Sequence, residues 1–122
     1  MPFDWREFLE LARDLQGQTG SGYSAEAAER TSVSRAYYAA FCHARNYAAA
    51  HQGFRLTRTS EDHKLLREHF QRLGGGWINV EADLDELRKW RNKCDYNDSV
   101  HNLRILVQSA LRGAHEVIEQ CK

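Results

Sequence analysis

The residues best suited to chemistry lie between Leu87 and Asp98, in the run LRKWRNKCDYND. Arg88 and Arg91 stand one helical turn apart. On a shared helix face they make a two-guanidinium clamp for a phosphate or a carboxylate. Arg91 and Tyr96 are five residues apart, so a continuous helix sets them about 140° apart. The two converge only if the helix ends or bends between them, and Asn92 and Asp95 favour such a break. The other reading of the same residues is structural, with Arg91 paired to Asp95 and Tyr96 closing one end of the fold.

Other routes to chemistry are poorer. His63 and His69 fall on different faces of a helix, so the histidines offer no metal-ligand pair. Gly74–Gly76 lacks the Lys and the Ser or Thr of a phosphate loop and reads as a connector. No serine occupies a strand-to-helix nucleophile turn. The three cysteines, Cys42, Cys94 and Cys121, are an odd set without metal spacing, and Cys42 and Cys121 fall on apolar faces. The pattern implies no metal and no cofactor.

These residues need a frame, and a long central helix supplies it. Ser24–His51 runs 28 residues without Gly or Pro, starts on a capping Ser, holds ten alanines and is followed by Gly53. Tyr38, Phe41 and Cys42 recur at helical spacing, while Ala36, Ala39, Ala40 and Ala44 let neighbours approach closely. Around it the periodicity predicts a helix over 3–16, with Trp5, Phe8, Leu9, Ala12 and Leu15 on one face. It predicts another over 61–73 capped by Ser60, with Leu65, Leu66, His69, Phe70 and Leu73 at 3–4 spacing. A fourth covers Ile78 to about Arg91, with Val80, Leu84 and Leu87 inward and Trp90 off that face, exposed or at an interface. A last one, capped by Asp98, carries a stripe from Val100 to Cys121. With no strand alternation or repeat, the expected fold is all-α: an up-and-down bundle of four to five helices forming one domain over 1–122.

Charge sharpens the picture. The 17 basic and 17 acidic groups balance overall, but 30–72 holds eight basic against three acidic, and seven of the eight are Arg. That bias suits phosphate recognition. The start MPFDWREFLE lacks a signal-peptide layout and no run is long enough to span a membrane, so a reducing cytoplasm and no membrane partner are expected.

Taken in order, Ser34-Arg35-Ala36-Tyr37-Tyr38-Ala39-Ala40-Phe41, then Ser60 and His63, then Arg91 ahead of Cys94-Asp95-Tyr96, resembles the HEPN superfamily. The nearest branch is that of small bacterial and archaeal proteins with SRAYYAAF and R..aDY motifs. The resemblance covers nearly the whole chain. It implies a helical bundle that commonly forms a homodimer and works in toxin–antitoxin or anti-phage defence, often beside a nucleotidyltransferase or another defence protein. Many HEPN proteins are metal-independent RNases using an Arg-x4–6-His signature, in which Arg holds the phosphate and His moves the proton.

Here Tyr96 stands where that His belongs, with Asp95 beside it. Ordinary pKa values near 10 and 4 suit neither to proton transfer at neutral pH. His63, or His101, is the candidate substitute base from another helix. The resemblance therefore implies a module binding a nucleotide or RNA phosphate through Arg91, supported by Arg88 and Arg35, in a groove lined by Tyr37 and Tyr96, with nuclease activity degenerate or absent. The alternatives are an active RNase toxin that recruits His63 or Tyr96, and a purely structural adaptor.

Overall fold

A computed structural model describes residues 2–122. It contains five helices and, among the described residues, no strand: α1 Glu7–Asp14, α2 Ala25–His51, α3 Asp62–Leu73, α4 Trp77–Tyr96 and α5 Leu103–Gln120. The all-α bundle expected from periodicity is the fold. No helix is long and apolar enough to cross a membrane.

The core sits around α2. The Ser24 side chain accepts from the Ala27 amide at 3.2 Å, so the expected cap starts the helix. Ala36, Ala39, Ala40, Ala44 and Ala48 are fully buried, which lets α1, α4 and α5 all lie against one central helix. Larger side chains fill the gaps, with Leu66 and Phe70 from α3, Leu84 and Leu87 from α4, and Val107 and Val117 from α5. One buried hydroxyl is satisfied across helices: Ser32 Oγ donates to the Ala12 carbonyl at 2.6 Å, tying α2 to α1. All three cysteines are free and buried.

The helix ends differ from expectation in instructive ways. The first helix is shorter, because residues 3–6 form a turn in which Asp4 accepts from the Arg6 backbone and guanidinium. Ser60 does not cap α3. Asp62 instead folds back on the preceding loop, and its carboxylate accepts from the Thr57 amide, the Thr57 hydroxyl and the Arg58 amide. Gly74 and Gly75, at φ +70° and +57°, end α3 as the sequence implied.

The largest departure is α4, which passes through Asn92–Asp95 without a break and ends at Tyr96. The cost of Asn and Asp in a helix is a few tenths of a kcal/mol each. Two tertiary effects outweigh it. Cys94 falls one heptad after Leu87 on the core face and is buried. Arg30 of α2 donates to the carbonyls of Cys94, Asn97 and Asp98 at 3.0, 2.6 and 3.0 Å, satisfying the end of α4 with a cation where the helix dipole favours one. The last helix consequently begins at Leu103, after Asn102 in a left-handed conformation (φ +55°), and not at Asp98. Trp90 is not fully exposed: it is half-buried against the core and borders a groove with Ser109 and Gly113 of α5.

Candidate functional site

Because α4 is continuous, Arg91 and Tyr96 do not converge. Tyr96 is 74% exposed and forms no wall of a groove. Tyr37 lines no groove either: it is 1% exposed, within the core. Its neighbour Tyr38 is the half-buried ring, with the Arg35 and Arg91 guanidinium carbons 5.2 and 5.6 Å from its centroid. Arg35 also lies over Phe8 at 4.8 Å, and with Arg30, Ser34 and Asp95 it borders a shallow hollow beside α4.

Arg91 is neither free nor fully bound. Its side chain is 14% exposed, its guanidinium carbon stands 5.3 Å from the Tyr37 ring, and its nearest carboxylate oxygen, on Asp95, is 3.6 Å away. That distance is an ion pair but not a hydrogen bond. The buried Nε–H of Arg91 has no acceptor, and the same is true of Arg88. Arg88 is otherwise held by Asp85 at 2.8 Å, a carboxylate shared with Lys89 at 3.0 Å and Arg67 at 3.7 Å. The expected Arg88–Arg91 clamp is thus drawn apart, with each guanidinium paired to a different acid of α4. Hydrogen bonds from Arg88 and Lys89 hold the Asp85 carboxyl below its ordinary range.

What the structure does bring together is His63 with Tyr37 and the arginines. The His63 ring stacks on Phe41 at 3.9 Å and 6°, and its Nδ1 is hydrogen-bonded to the Tyr37 hydroxyl. Burial pushes the Tyr37 pKa up, only partly offset by Arg91 and Arg67, so Tyr37 keeps its proton. A buried phenol whose proton has no other acceptor donates, so Nδ1 accepts and the proton of neutral His63 sits on Nε2. Burial, then the nearby Arg91 and Arg67, push the His63 pKa down and keep the ring neutral. His63 therefore presents an Nε2–H donor.

His63 lines a cavity of about 520 Å³ between α2 and the 53–62 loop, together with Arg45, Asn46, Arg58 and Ser60 over a floor of Phe41 and Leu56. Neither Arg45 nor Arg58 joins an ion pair among the described residues. Arg45 is steered by Asn46 Oδ1, at 3.0 Å from its Nε, and by the rings of Phe41 and Trp5. Sequence reasoning did not single out Arg45, Asn46, Arg58 or Arg67. The available signals were the Tyr37–Phe41–Arg45 spacing along α2 and the arginine excess of 30–72.

No family model, curated protein or solved structure matches this chain. What the site does must come from its own residues. Among the described residues no group of three or more His, Cys, Asp or Glu side chains is placed to hold a metal ion. The guanidiniums, hydroxyl and imidazole N–H that converge there are donors suited to an anion, and the one carboxylate of the lining, Asp62, has its oxygens occupied by the Thr57 and Arg58 amides and the Thr57 hydroxyl.

Proposed function

We propose that the protein is a HEPN-like helical module that binds a nucleotide or RNA phosphate, acting in toxin–antitoxin or anti-phage defence as a homodimer or beside a nucleotidyltransferase or other defence protein. The reading rests on the motif resemblance for its context and on one observation for its chemistry. In the cavity beside His63, Arg45 and Arg58 join no ion pair among the described residues. Unpaired guanidiniums with a neighbouring hydroxyl and imidazole N–H form a phosphate-binding set. Arg91, Arg67 and Arg88 act from behind, keeping the field at Tyr37 and His63 positive without touching the ligand.

The tautomer of His63 favours binding over cleavage. With Nδ1 occupied by the Tyr37 hydroxyl and Nε2 protonated, the ring donates a hydrogen bond and has no free lone pair to take a proton from a ribose hydroxyl. Tyr96, exposed and about 140° round the continuous α4 from Arg91, does not border that cavity.

The test is incubation of the protein with total RNA in chelator, alongside a fluorescence titration with a labelled oligoribonucleotide. Expected are intact RNA and binding that weakens with salt. Release of 2′,3′-cyclic phosphate ends, abolished by Arg91→Ala, overturns this reading in favour of the RNase. Absence of binding to nucleotides or RNA, with a cooperative melt, leaves the structural adaptor.

A further inference from the structure

We infer that the cavity between α2 and the 53–62 loop is selective for a terminal phosphomonoester, the dianionic end group of a nucleotide or of an RNA strand, over the internal phosphodiesters of a chain. The inference rests on the phosphate-binding reading above and narrows its ligand.

Charge comes first. A phosphodiester carries one negative charge, whereas a monoester carries about 1.5 to 2 at neutral pH and offers three acceptor oxygens. The cavity offers two guanidiniums that join no ion pair among the described residues, Arg45 and Arg58, together with the Ser60 hydroxyl and His63. One carboxylate lines the same space, and its oxygens are already occupied. Asp62 is 4% exposed, and its oxygens accept from the Thr57 amide at 3.0 and 3.2 Å, the Thr57 hydroxyl at 2.7 Å and the Arg58 amide at 3.0 Å. The carboxylate stays ionised and offsets part of the charge of Arg45, but its oxygens are occupied in shaping the loop, so the donors of both guanidiniums, Ser60 and His63 remain for the three acceptor oxygens of a terminal phosphate.

The backbone at Arg58 is the second observation. Arg58 sits at φ +61°, a conformation in which Cβ crowds the backbone and glycine is the inexpensive residue. The strain is imposed by the Asp62 carboxylate, which holds the Thr57 and Arg58 amides together. A strained arginine facing a cavity, on a loop whose hydrogen bonds would survive glycine, is kept for its side chain. The loop is further pinned by the Thr57–Thr59 hydroxyl pair at 2.7 Å, so the guanidinium is presented from a fixed turn and not from a floppy loop.

The experiment measures binding of the full chain to four probes: one short RNA sequence with a 5′-phosphate, a 3′-phosphate or hydroxyls at both ends, and a nucleoside monophosphate. Any label is attached at the end opposite the one varied. Wild type and Arg58→Gly are compared, since glycine suits the turn and should leave the melting temperature unchanged or slightly raised. The expected result is that at least one phosphorylated strand binds roughly tenfold more tightly than the hydroxyl-ended strand, as losing one charge-assisted hydrogen bond implies. The nucleoside monophosphate should compete, and Arg58→Gly should remove the preference while the fold is retained. Which strand wins distinguishes a 5′ end from a 3′ end. Equal binding of hydroxyl-ended and phosphorylated strands overturns the inference and leaves the broader reading standing. A preference that survives in Arg58→Gly places it outside this cavity and also overturns the inference, and no binding by any probe overturns both.

Discussion

Two places in the molecule gather arginines, and they treat them in opposite ways. At the end of α4, Arg30 donates to three backbone carbonyls and pairs with Glu26 at 3.0 Å, so its guanidinium is almost completely satisfied inside the fold. Around His63, Arg45 and Arg58 join no ion pair among the described residues, and behind them Arg91 keeps a buried N–H with no acceptor. Buried donors are ordinarily matched in a folded protein, and an unmatched one costs free energy. The first arrangement therefore holds the fold together, while the second leaves the donors of Arg45 and Arg58 over for something outside the chain, with Arg91 behind them. Arginine count alone does not separate these roles. The census of acceptors does.

The comparison breaks most visibly at Arg30. Arg30→Ala removes a cation from three carbonyls at the end of α4 and should lower unfolding stability by about 3 kcal/mol, given that hydrogen bonds to charged groups contribute about 1.5–3 kcal/mol and that this side chain is partly solvent-exposed. Urea denaturation of the variant reads this directly. At a temperature where the variant remains folded, phosphate binding should be unchanged. A loss below about 0.5 kcal/mol would mean that α4 holds its length without Arg30, and the assignment of roles would fail.

Acidification acts on the other region. His63 and His69 both have pKa values held below the ordinary 6.5, each by burial first, with Arg91 and Arg67 adding to the effect at His63 and Arg72 at His69. Below that value the unfolded chain takes up protons that the folded chain resists, so the unfolded state binds more protons and stability falls as pH drops. The full stability is present above pH 6.5 and declines as pH falls below it, until the folded rings also protonate. Melting temperatures at pH 7.5 and 5.5 check the direction. In His63→Gln the drop should shrink to the His69 part, and an undiminished drop would place the titration elsewhere. Asp62 and Arg45 also face His63 and would have to be considered then.

The helices were legible in the sequence because their signals are local and repeated. The α2 cap, its alanine content, the Gly74 stop and the α5 stripe from Val107 to Ile118 each follow from neighbours a few residues away. The end of α4 was not legible because its cause is an arginine 64 residues earlier in the chain, and no local pattern carries that information. The site divided along the same line. Arg91 and His63 were marked by type and motif, but their surroundings depend on how α2, α3 and α4 meet. Tyr37 and Tyr38 are adjacent in the helix, and only packing decides that the first is sealed in the core while the second is left half-open. Arg58 was hidden for another reason: its left-handed turn is imposed by Asp62, and Arg is not a residue that announces such a turn.

The finest test of the two-region contrast lies at Arg91 itself, where opposing terms nearly cancel. Arg91→Met keeps an unbranched stem of similar reach against Tyr37 and Tyr38 and removes the buried Nε–H that has no acceptor, which favours the variant. Against it stand the two cation–π contacts, at about 0.5–1 kcal/mol each for sites that are not fully desolvated, and the 3.6 Å pair with Asp95, whose carboxylate is 30% exposed and can turn to water. The net change in stability should stay within about 1 kcal/mol of zero, measured by urea denaturation. An equivalent loss of charge at Arg30 should cost about three times as much. A destabilisation of Arg91→Met as large as that of Arg30→Ala would mean that Arg91 is a bond of the fold like its counterpart. The positive field behind His63 would then be a by-product of packing, with no part in holding a ligand.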